Sequence, residues 1–332
     1  GRRVVHLPPQ TIKARGGGGK ERSAGVVPGF CETRPAAADR AGSRRIPGPA
    51  AHGMVAAMGH VPDLVYDVGM HNGDDTAYYL HKGYRVVAVD ANPAMAERGR
   101  ERFAAEVAAG RLQVLNVGIA EAAGTEEFFV PPGLDVLGSF DAGAAARGGE
   151  LRAIRVACVP FRELLDAHGV PFYLKVDIEG RDWLCLAGLD AARCPAYVSF
   201  EMSYERGDAD IAILAELGYR GFKCIRQNDF MAITDANARM VCAMRRWRER
   251  GGARALAVRA VRRALGRRGT ERDGAWRFAW GSSGAMPEAT DGPWLDIAQV
   301  TGVWRRPRDV DRELSGPLSP QWFDIHARRA AP

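Results

Sequence analysis

The run Leu174-Lys175-Val176-Asp177-Ile178-Glu179-Gly180 holds the densest chemical signal in the chain. Apolar residues lead into two carboxylates, and the glycine behind them permits a sharp exit turn. Tyr197-Val198-Ser199-Phe200-Glu201 repeats the pattern, an apolar run closed by an acid. Upstream, Leu64-Val65-Tyr66-Asp67 and Tyr84-Arg85-Val86-Val87-Ala88-Val89-Asp90 have the same form. If these runs are parallel strands, Asp67, Asp90, Asp177, Glu179 and Glu201 ring one crevice at a sheet edge. Carboxylates gathered in this way are costly unless a cation or a donor answers them. Lys175 can answer one of them, and a positively charged ligand or a divalent metal can answer others. No His/Cys ligand set accompanies the acids, so no metal is expected. Glu201 alone fits a structural ion pair as well as a functional role.

The first two runs are separated by Gly69-Met70-His71-Asn72-Gly73-Asp74-Asp75-Thr76. Gly69 and Gly73 allow the backbone to turn sharply and to approach a ligand. The bland alternative is a tight turn with helix-capping aspartates. Two ligand classes use a glycine-rich turn over the carboxyl ends of parallel strands: dinucleotides and S-adenosylmethionine (SAM). A pyrophosphate needs an uncrowded, positive helix N-terminus, and here Asp74 and Asp75 stand in that place. His71 also occupies the second glycine position of a G-x-G-x-x-G fingerprint. A sulfonium with an ammonium group, and no phosphate, suits an acid-lined crevice better. Asp90, 23 residues after Asp67, can accept ribose hydroxyls from either ligand and does not discriminate between them. His71 is a candidate base, although a lone loop histidine is more often a polar lining residue. His168, near a helix C-terminus, reads as structural.

Strands must alternate with helices to place these acids. Thr76–Lys82 and Pro93–Ala109 read as helices, the second with its proline in the first turn. Leu112–Val117 reads as a third strand and Glu126–Val130 as a side strand. Ile154–Val159 and Phe172–Val176 read as strands flanking a helix over Phe161–His168. Asp182–Leu189 and Asp208–Leu217 read as helices, the latter closed by Gly218, and Tyr197–Met202 and Tyr219–Arg226 as strands. Such alternation implies βαβ units and an α/β sandwich.

The chain of 332 residues has a net charge of +6, but the charge is uneven. Residues 1–60 hold ten Lys/Arg against three Asp/Glu, whereas the other 272 hold 36 against 37. The basic balance therefore says little about the body's ligand. With 11 Gly, 6 Pro and only nine Leu, Ile, Val or Phe, residues 1–60 are expected to be disordered. The globular pattern starts just after Met54 and Met58, either of which is a candidate translation start. A second basic block, residues 245–273, has eleven Arg against three acids. There Val258, Val261 and Leu265 share a helical face, expected to pack on the domain; a substrate lid or a patch for an acidic partner is the alternative. Trp276, Trp280, Trp294, Trp304 and Trp322 imply that the tail packs onto something. The expected organisation is thus a basic segment over 1–60, a ligand-binding domain over 61–245, an Arg-rich helical insertion over 246–275 and a packed C-terminal segment over 276–332. Six cysteines without C-x-x-C spacing fit reduced thiols in a cytoplasm. No stretch reaches 18 uncharged apolar residues, so no spanning helix is expected.

From Leu64 to Lys223 the sequence resembles the FkbM family of SAM-dependent methyltransferases. Tyr66-Asp67-Val68-Gly69 through Gly73 is similar to the family's D-V-G-A-N-x-G motif, with Met70-His71 in place of Ala-Asn. Val89-Asp90-Ala91-Asn92-Pro93 is similar to its E-x-N-P strand end, with Asp for Glu. Asn116 matches a polar residue near the adenine in this class. Leu174–Gly180 resembles the L-K-I-D-V-E-G signature, and Val198–Glu201 the following strand. Phe278 and Gly281-Ser282-Ser283-Gly284 resemble a terminal motif of one branch, whose Pro-Phe-Gly is Ala285-Met286-Pro287 here.

The resemblance implies a Rossmann-like class I methyltransferase fold, with a mostly parallel seven-stranded sheet between helices. It implies SAM as cofactor, held by Asp67, Gly69, Gly73, Asp90, Asn116 and Asp177. It also implies methylation of a hydroxyl oxygen on a sugar, glycan, lipid or secondary metabolite. Asp177 is the first candidate base, with Glu179, Glu201 and His71 behind it. The alternatives are a NAD-linked oxidoreductase on a similar sheet and a non-catalytic module binding nucleotide or nucleic acid. No aromatic-plus-basic reader motif accompanies the arginines, so nucleic acid is not the expected partner.

Overall fold

The structure, a computed structural model, describes residues 59–130, 138–142, 151–249, 272–279, 281–314 and 321–329. The basic segment expected over 1–60 lies outside them except for Gly59 and His60. So do most of the loop 133–150, residues 250–271 of the Arg-rich block, and Trp280.

The first half alternates strands and helices: β1 (Val61–Val68), α1 (Asp74–His81), β2 (Arg85–Val89), α2 (Pro93–Arg102), α3 (Ala104–Ala108) and β3 (Leu112–Leu115). The single helix expected over Pro93–Ala109 is broken at Phe103, which leaves the helical region (φ −115°, ψ 33°). Its ring is buried against Gly73 at the start of α1, and that contact bends the chain. Next come β4 (Gly118–Ile119), β5 (Gly124–Val130), β6 (Arg152–Val159), α4 (Phe161–His168), β7 (Pro171–Val176), α5 (Asp182–Ala187) and β8 (Tyr197–Glu201). The C-terminal half holds α6 (Gly207–Glu216), β9 (Tyr219–Arg226), β10 (Met231–Ile233), α7 (Asp235–Glu249), the hairpin β11 (Arg272–Asp273) and β12 (Trp276–Arg277), α8 (Ile297–Glu313) and β13 (Phe323–Arg329).

The main sheet runs β10-β9-β13-β8-β7-β1-β2-β3. Strands β3, β2, β1, β7 and β8 pair in parallel, the Rossmann-like α/β arrangement expected. The sheet has eight strands rather than seven, because the short β10 adds an antiparallel edge to β9. Strand β6 does not join this sheet beside β7, as its place before α4 suggests. It forms a separate sheet, β4-β6-β5. The burial pattern explains the split: β7 is almost wholly buried, whereas β6 buries mainly Val156 and Cys158, which pack with Ala120 and Phe128. A strand covered on both faces reads as a continuous apolar run, and one covered on a single face alternates.

The tail does more than pack on the domain. Strand β13 inserts between β8 and β9, antiparallel to both. Phe323, Ile325 and Ala327 on it are each at most 1% exposed. Burying the two large side chains contributes roughly 3–6 kcal/mol before ordering entropy is set against it. Helix α8 starts from a capping box formed by Asp296 and Gln299 and buries Trp304 against Phe323. Among the described residues the five cysteines are free and buried, and no helix is long and apolar enough to cross a membrane.

Candidate active site

The carboxyl ends of β1, β2, β7 and β8 meet over one cavity of about 270 Å³. Its floor begins at the loop after β1. Gly69 N and Met70 N both donate to Val89 O, at 2.8 and 3.0 Å, so the loop is pinned to the end of β2. Gly69 has φ +88°, and a Cβ there would lie 1.8 Å from the Asp177 carbonyl oxygen. Only glycine lets the loop pass that close to the end of β7. His71, with φ 50°, donates its backbone N–H to Asp90 Oδ2 at 2.8 Å. Asn92 N donates to Asp90 Oδ1 at 2.8 Å. Burial pushes the Asp90 carboxyl up to about 6, against the pull of these two N–H groups and of Lys175.

Beneath the loop lies a closed polar network. Lys175 Nζ sits 3.0 Å from Asp67 Oδ1 and 3.8 Å from Asp75 Oδ2, and donates to Gly69 O at 2.8 Å. Burial works against its ammonium form, but Asp67, Asp177 and Asp75 outweigh burial and raise its pKa. Thr76 Oγ1 donates to Asp67 Oδ2 at 2.6 Å. Asp75 accepts from Ser282 Oγ at 2.6 Å and from Ser283 N at 3.1 Å. Burial lifts the Asp75 carboxyl to about 6, with Lys175 opposing and Asp67 adding. Asp75 therefore meets donors from the C-terminal segment as well as facing the ligand space.

On the far wall, Asp177, Glu179 and Glu201 each present a carboxylate oxygen, all within 4.8 Å of one another. Glu179 reaches this position through a left-handed backbone (φ 54°), followed by Gly180 at φ 95°. Burial, then the charges of Asp177, Glu179, Asp182 and Asp324, hold the Glu201 carboxyl well above the usual range. Asp182 is pushed to about 7 by burial and then by Asp177. Asp324 is likewise raised by burial and Asp177, with Gln227 opposing.

Of the residues expected at the site, Gly69, His71, Asp90, Asp177, Glu179 and Glu201 line the cavity. Three others stand behind it. Asp67 is wholly buried because Lys175 and Thr76 hold its carboxylate inside the sheet edge. Gly73 packs on Phe103, whose ring would lie 2.7 Å from an added Cβ. Asn116 braces the turn after β2 by donating to Asp90 O and Ala91 O, at 2.9 and 3.1 Å. The five acids thus do not ring one crevice; four do, and Asp67 anchors the lysine. Sequence reasoning set Asp75 at the ligand turn only as a deterrent to pyrophosphate, and it missed Gln227, Ser282 and Trp322 in the lining. Only the Gly281–Gly284 motif hinted at Ser282, and nothing local points to its partner 207 residues away.

The donor set has a clear preference. Among the described residues, Lys175 is the only Lys or Arg in the lining, and its ammonium is committed to Asp67, Asp75 and Gly69. The exposed chemistry is carboxylate beside the apolar Val117, Ile119, Met95 and Phe140. Such a wall suits a ligand with an apolar ring and positive charge and repels a pyrophosphate.

Residues 67–224 match the model of the methyltransferase FkbM domain. No curated protein matches the chain. Among solved structures, the precorrin-6y C5,15-methyltransferase of Geobacter metallireducens shares 11% identity, covering 80% of this chain and 79% of its own, with a TM-score of 0.31. E. coli YjhP shares 13% identity, covering 87% of this chain and 96% of its own, with a TM-score of 0.30. Scores this low bear on neither fold nor activity. The matched span contains the ends of β1, β2, β7 and β8, and with them every expected site residue. Residues 67–224, just under half of the chain, are thus similar to the methyltransferase FkbM domain, and the methyl donor that goes with that domain is S-adenosylmethionine.

Proposed function

We propose that the chain transfers the methyl group of SAM to a hydroxyl oxygen of a sugar, glycan, lipid or secondary metabolite. One observation carries this reading: a carboxylate group, Asp177 with Glu179 and Glu201, shares its cavity with the Gly69 loop and Asp90. The chemistry of the lining fits SAM. Asp90, already oriented by two backbone N–H groups, keeps lone pairs for the ribose hydroxyls. The close passage at Gly69 lets the backbone approach the amino-acid part, and Val117, Ile119 and Met95 supply an apolar face for the base. When bound, SAM supplies an electrophilic methyl on a sulfonium whose sulfur leaves with the C–S electron pair.

The protein has two tasks. It must hold the acceptor oxygen in line with the methyl carbon and sulfur, an alignment worth several kcal/mol. It must also take the hydroxyl proton as the new C–O bond forms. Asp177, at the end of β7, is the first base by position, with Glu179, Glu201 and His71 around the same space. We take residues 61–245 as the catalytic body and 276–332 as the segment that completes it, a division supported by Ser282 in the lining and by β13 in the sheet.

The test is a titration of purified protein with SAM and, separately, with NADH. SAM should bind at micromolar levels and NADH should not. Asp177→Asn should keep SAM binding and lose turnover. Binding of NADH instead of SAM would overturn the reading, as would full methyl transfer by Asp177→Asn.

A further inference from the structure

Three neighbouring strands bring acids into one row. Val176 on β7 is level with Phe200 on β8, so the next residues, Asp177 and Glu201, lie side by side. On the other flank Glu201 is directly opposite Asp324 of β13. Residues opposite one another in a sheet send their side chains to the same face, and like charges there are destabilising. Glu179 turns back through its left-handed backbone to join Asp177 and Glu201, the three oxygens lying within 4.8 Å of one another.

The charge of Lys175 is felt at Asp177 and Asp324, but its ammonium makes its direct contacts elsewhere. Among the described residues no Lys or Arg forms an ion pair with Asp177 or Glu201; Lys175 is held by Asp67 and Asp75. Asp324 gives an independent sign. It is 3% exposed, and its Oδ1 accepts from Gln227 Nε2 at 2.7 Å, but its Oδ2 has no hydrogen-bond partner. Strand register turns this buried carboxylate, one of its oxygens without a hydrogen-bond partner, to the Glu201 side of the sheet. An unpaired buried carboxylate is expensive, and a nearby positive charge would relieve it. Three carboxylate oxygens with no nitrogen or sulfur are the ligand type chosen by hard divalent cations.

We propose that Asp177, Glu179 and Glu201 form a divalent-cation site for Mg²⁺ or Mn²⁺, each giving one oxygen, with Asp324 behind them adding negative charge. This deepens the methyl-transfer reading and rests on it for the cation's role. The cation binds the acceptor hydroxyl and makes it more acidic. Each carboxylate keeps a second oxygen, and that of Asp177 takes the proton. The freed oxygen then forms the bond to the methyl carbon while the C–S pair departs with sulfur.

The experiment uses the full chain, stripped of metal by chelation and titrated with Mn²⁺ alone, with free Mn²⁺ followed by electron paramagnetic resonance. One Mn²⁺ should bind per chain at micromolar levels, and excess Mg²⁺ should displace it. Asp177→Asn and Glu201→Gln should each weaken binding at least tenfold; Glu179→Gln, on the most exposed of the three, serves where those variants do not fold by circular dichroism. Asp90→Ala should bind Mn²⁺ like the parent while losing SAM. Mn²⁺ binding without SAM binding in the parent would leave the cation site standing and remove the methyl-transfer reading. SAM binding with no Mn²⁺ uptake to millimolar levels, or Mn²⁺ binding indifferent to all three substitutions, would overturn the cation site alone.

Discussion

Ser282 donates its hydroxyl to the Asp75 carboxylate at 2.6 Å, fastening the C-terminal segment to the first turn of α1. Ser283 N adds a second donor to the same carboxylate, and Ser282 Oγ in turn accepts from Gly284 N at 3.0 Å. Ser282 and Ser283 are each 4% exposed, so the clasp is shielded from competing water.

Ser282→Ala should therefore do two things. It removes a buried hydrogen bond to a charged group, a change of about 1.5–3 kcal/mol. It also frees Gly284 N, so the segment after residue 281 should lose hydrogen-exchange protection before the sheet does. Chemical denaturation together with exchange measured by mass spectrometry checks both. Exchange unchanged in that segment would mean the clasp does not hold it.

Lys175→Met tests the network below the clasp. The substitution preserves much of the packing volume and leaves Asp67 and Asp75 facing each other without a counter-charge. Removing one partner of a buried ion pair costs about 3–5 kcal/mol, measured as a fall in the urea midpoint at pH 7.5. Asp67→Asn with Lys175→Met should recover part of that loss, because one of the stranded charges has gone.

His326 sets an acid limit on the fold. The ring is wholly buried, neither nitrogen has a hydrogen-bond partner, and its register neighbours are Ser199 and Lys223. Burial, then the Lys223 charge, lowers its pKa from 6.5 to about 3. The unfolded chain thus takes up a proton that the folded chain refuses. The stability is fully present above pH 6.5 and is lost as pH falls toward 3, by up to about 1.4 kcal/mol per pH unit. His326→Leu should flatten the fall in stability between pH 7 and pH 5 relative to the parent. An equal fall in both proteins would assign the acid sensitivity elsewhere.

The legibility of this architecture follows the range of the interactions. Strands β1, β2, β7 and β8 are apolar, β-branched runs, and their acids stand at the ends because a strand stops where its burial stops. The clustering of Asp177, Glu179 and Glu201 was readable for that reason. Asp67 has the same local pattern but turns inward, because Lys175 two strand positions before Asp177 offers a buried charge. Strand β13 arrives from the far end of the chain to separate β8 from β9. No residue near Glu201 announces Asp324, and none near Asp75 announces Ser282. Spacing reports which face a residue takes, whereas its partner depends on which distant strand is level with it.

Asp90 should make SAM binding sensitive to pH. Its carboxyl titrates at about 6 because burial raises it, and in the proposed binding mode only the carboxylate would accept from both ribose hydroxyls while holding His71 N and Asn92 N. Bound SAM favours the carboxylate and so lowers this pKa, which means that protons oppose binding below about 6. The dissociation constant should rise by up to tenfold per pH unit from pH 6 to pH 5 and stay flat from pH 7 to pH 8. Calorimetry across that range checks the slope. Asp90→Ala should bind weakly at every pH with the slope reduced, and a parent-like slope in the variant would assign the proton to another group.

The two loop glycines separate backbone conformation from backbone passage. Both have positive φ, +88° at Gly69 and +80° at Gly73, so alanine at either pays the left-handed strain of about 1–2 kcal/mol. Their surroundings differ. At Gly73 the added methyl meets the Phe103 ring at 2.7 Å, a side chain at a helix break that can shift. At Gly69 it meets the Asp177 carbonyl at 1.8 Å, and the backbone leading into that carbonyl is held by Asp177 N donating to Val68 O at 2.9 Å. The loop must therefore lift off β7, breaking the Gly69 and Met70 bonds to Val89 O and the Lys175 bond to Gly69 O. Gly73→Ala should lower the melting temperature by a few degrees and keep most SAM affinity. Gly69→Ala should lose SAM binding altogether, with a larger fall in melting temperature. Equal effects at the two positions would show that strain alone governs the loop, and that its closeness to β7 does not matter for the ligand.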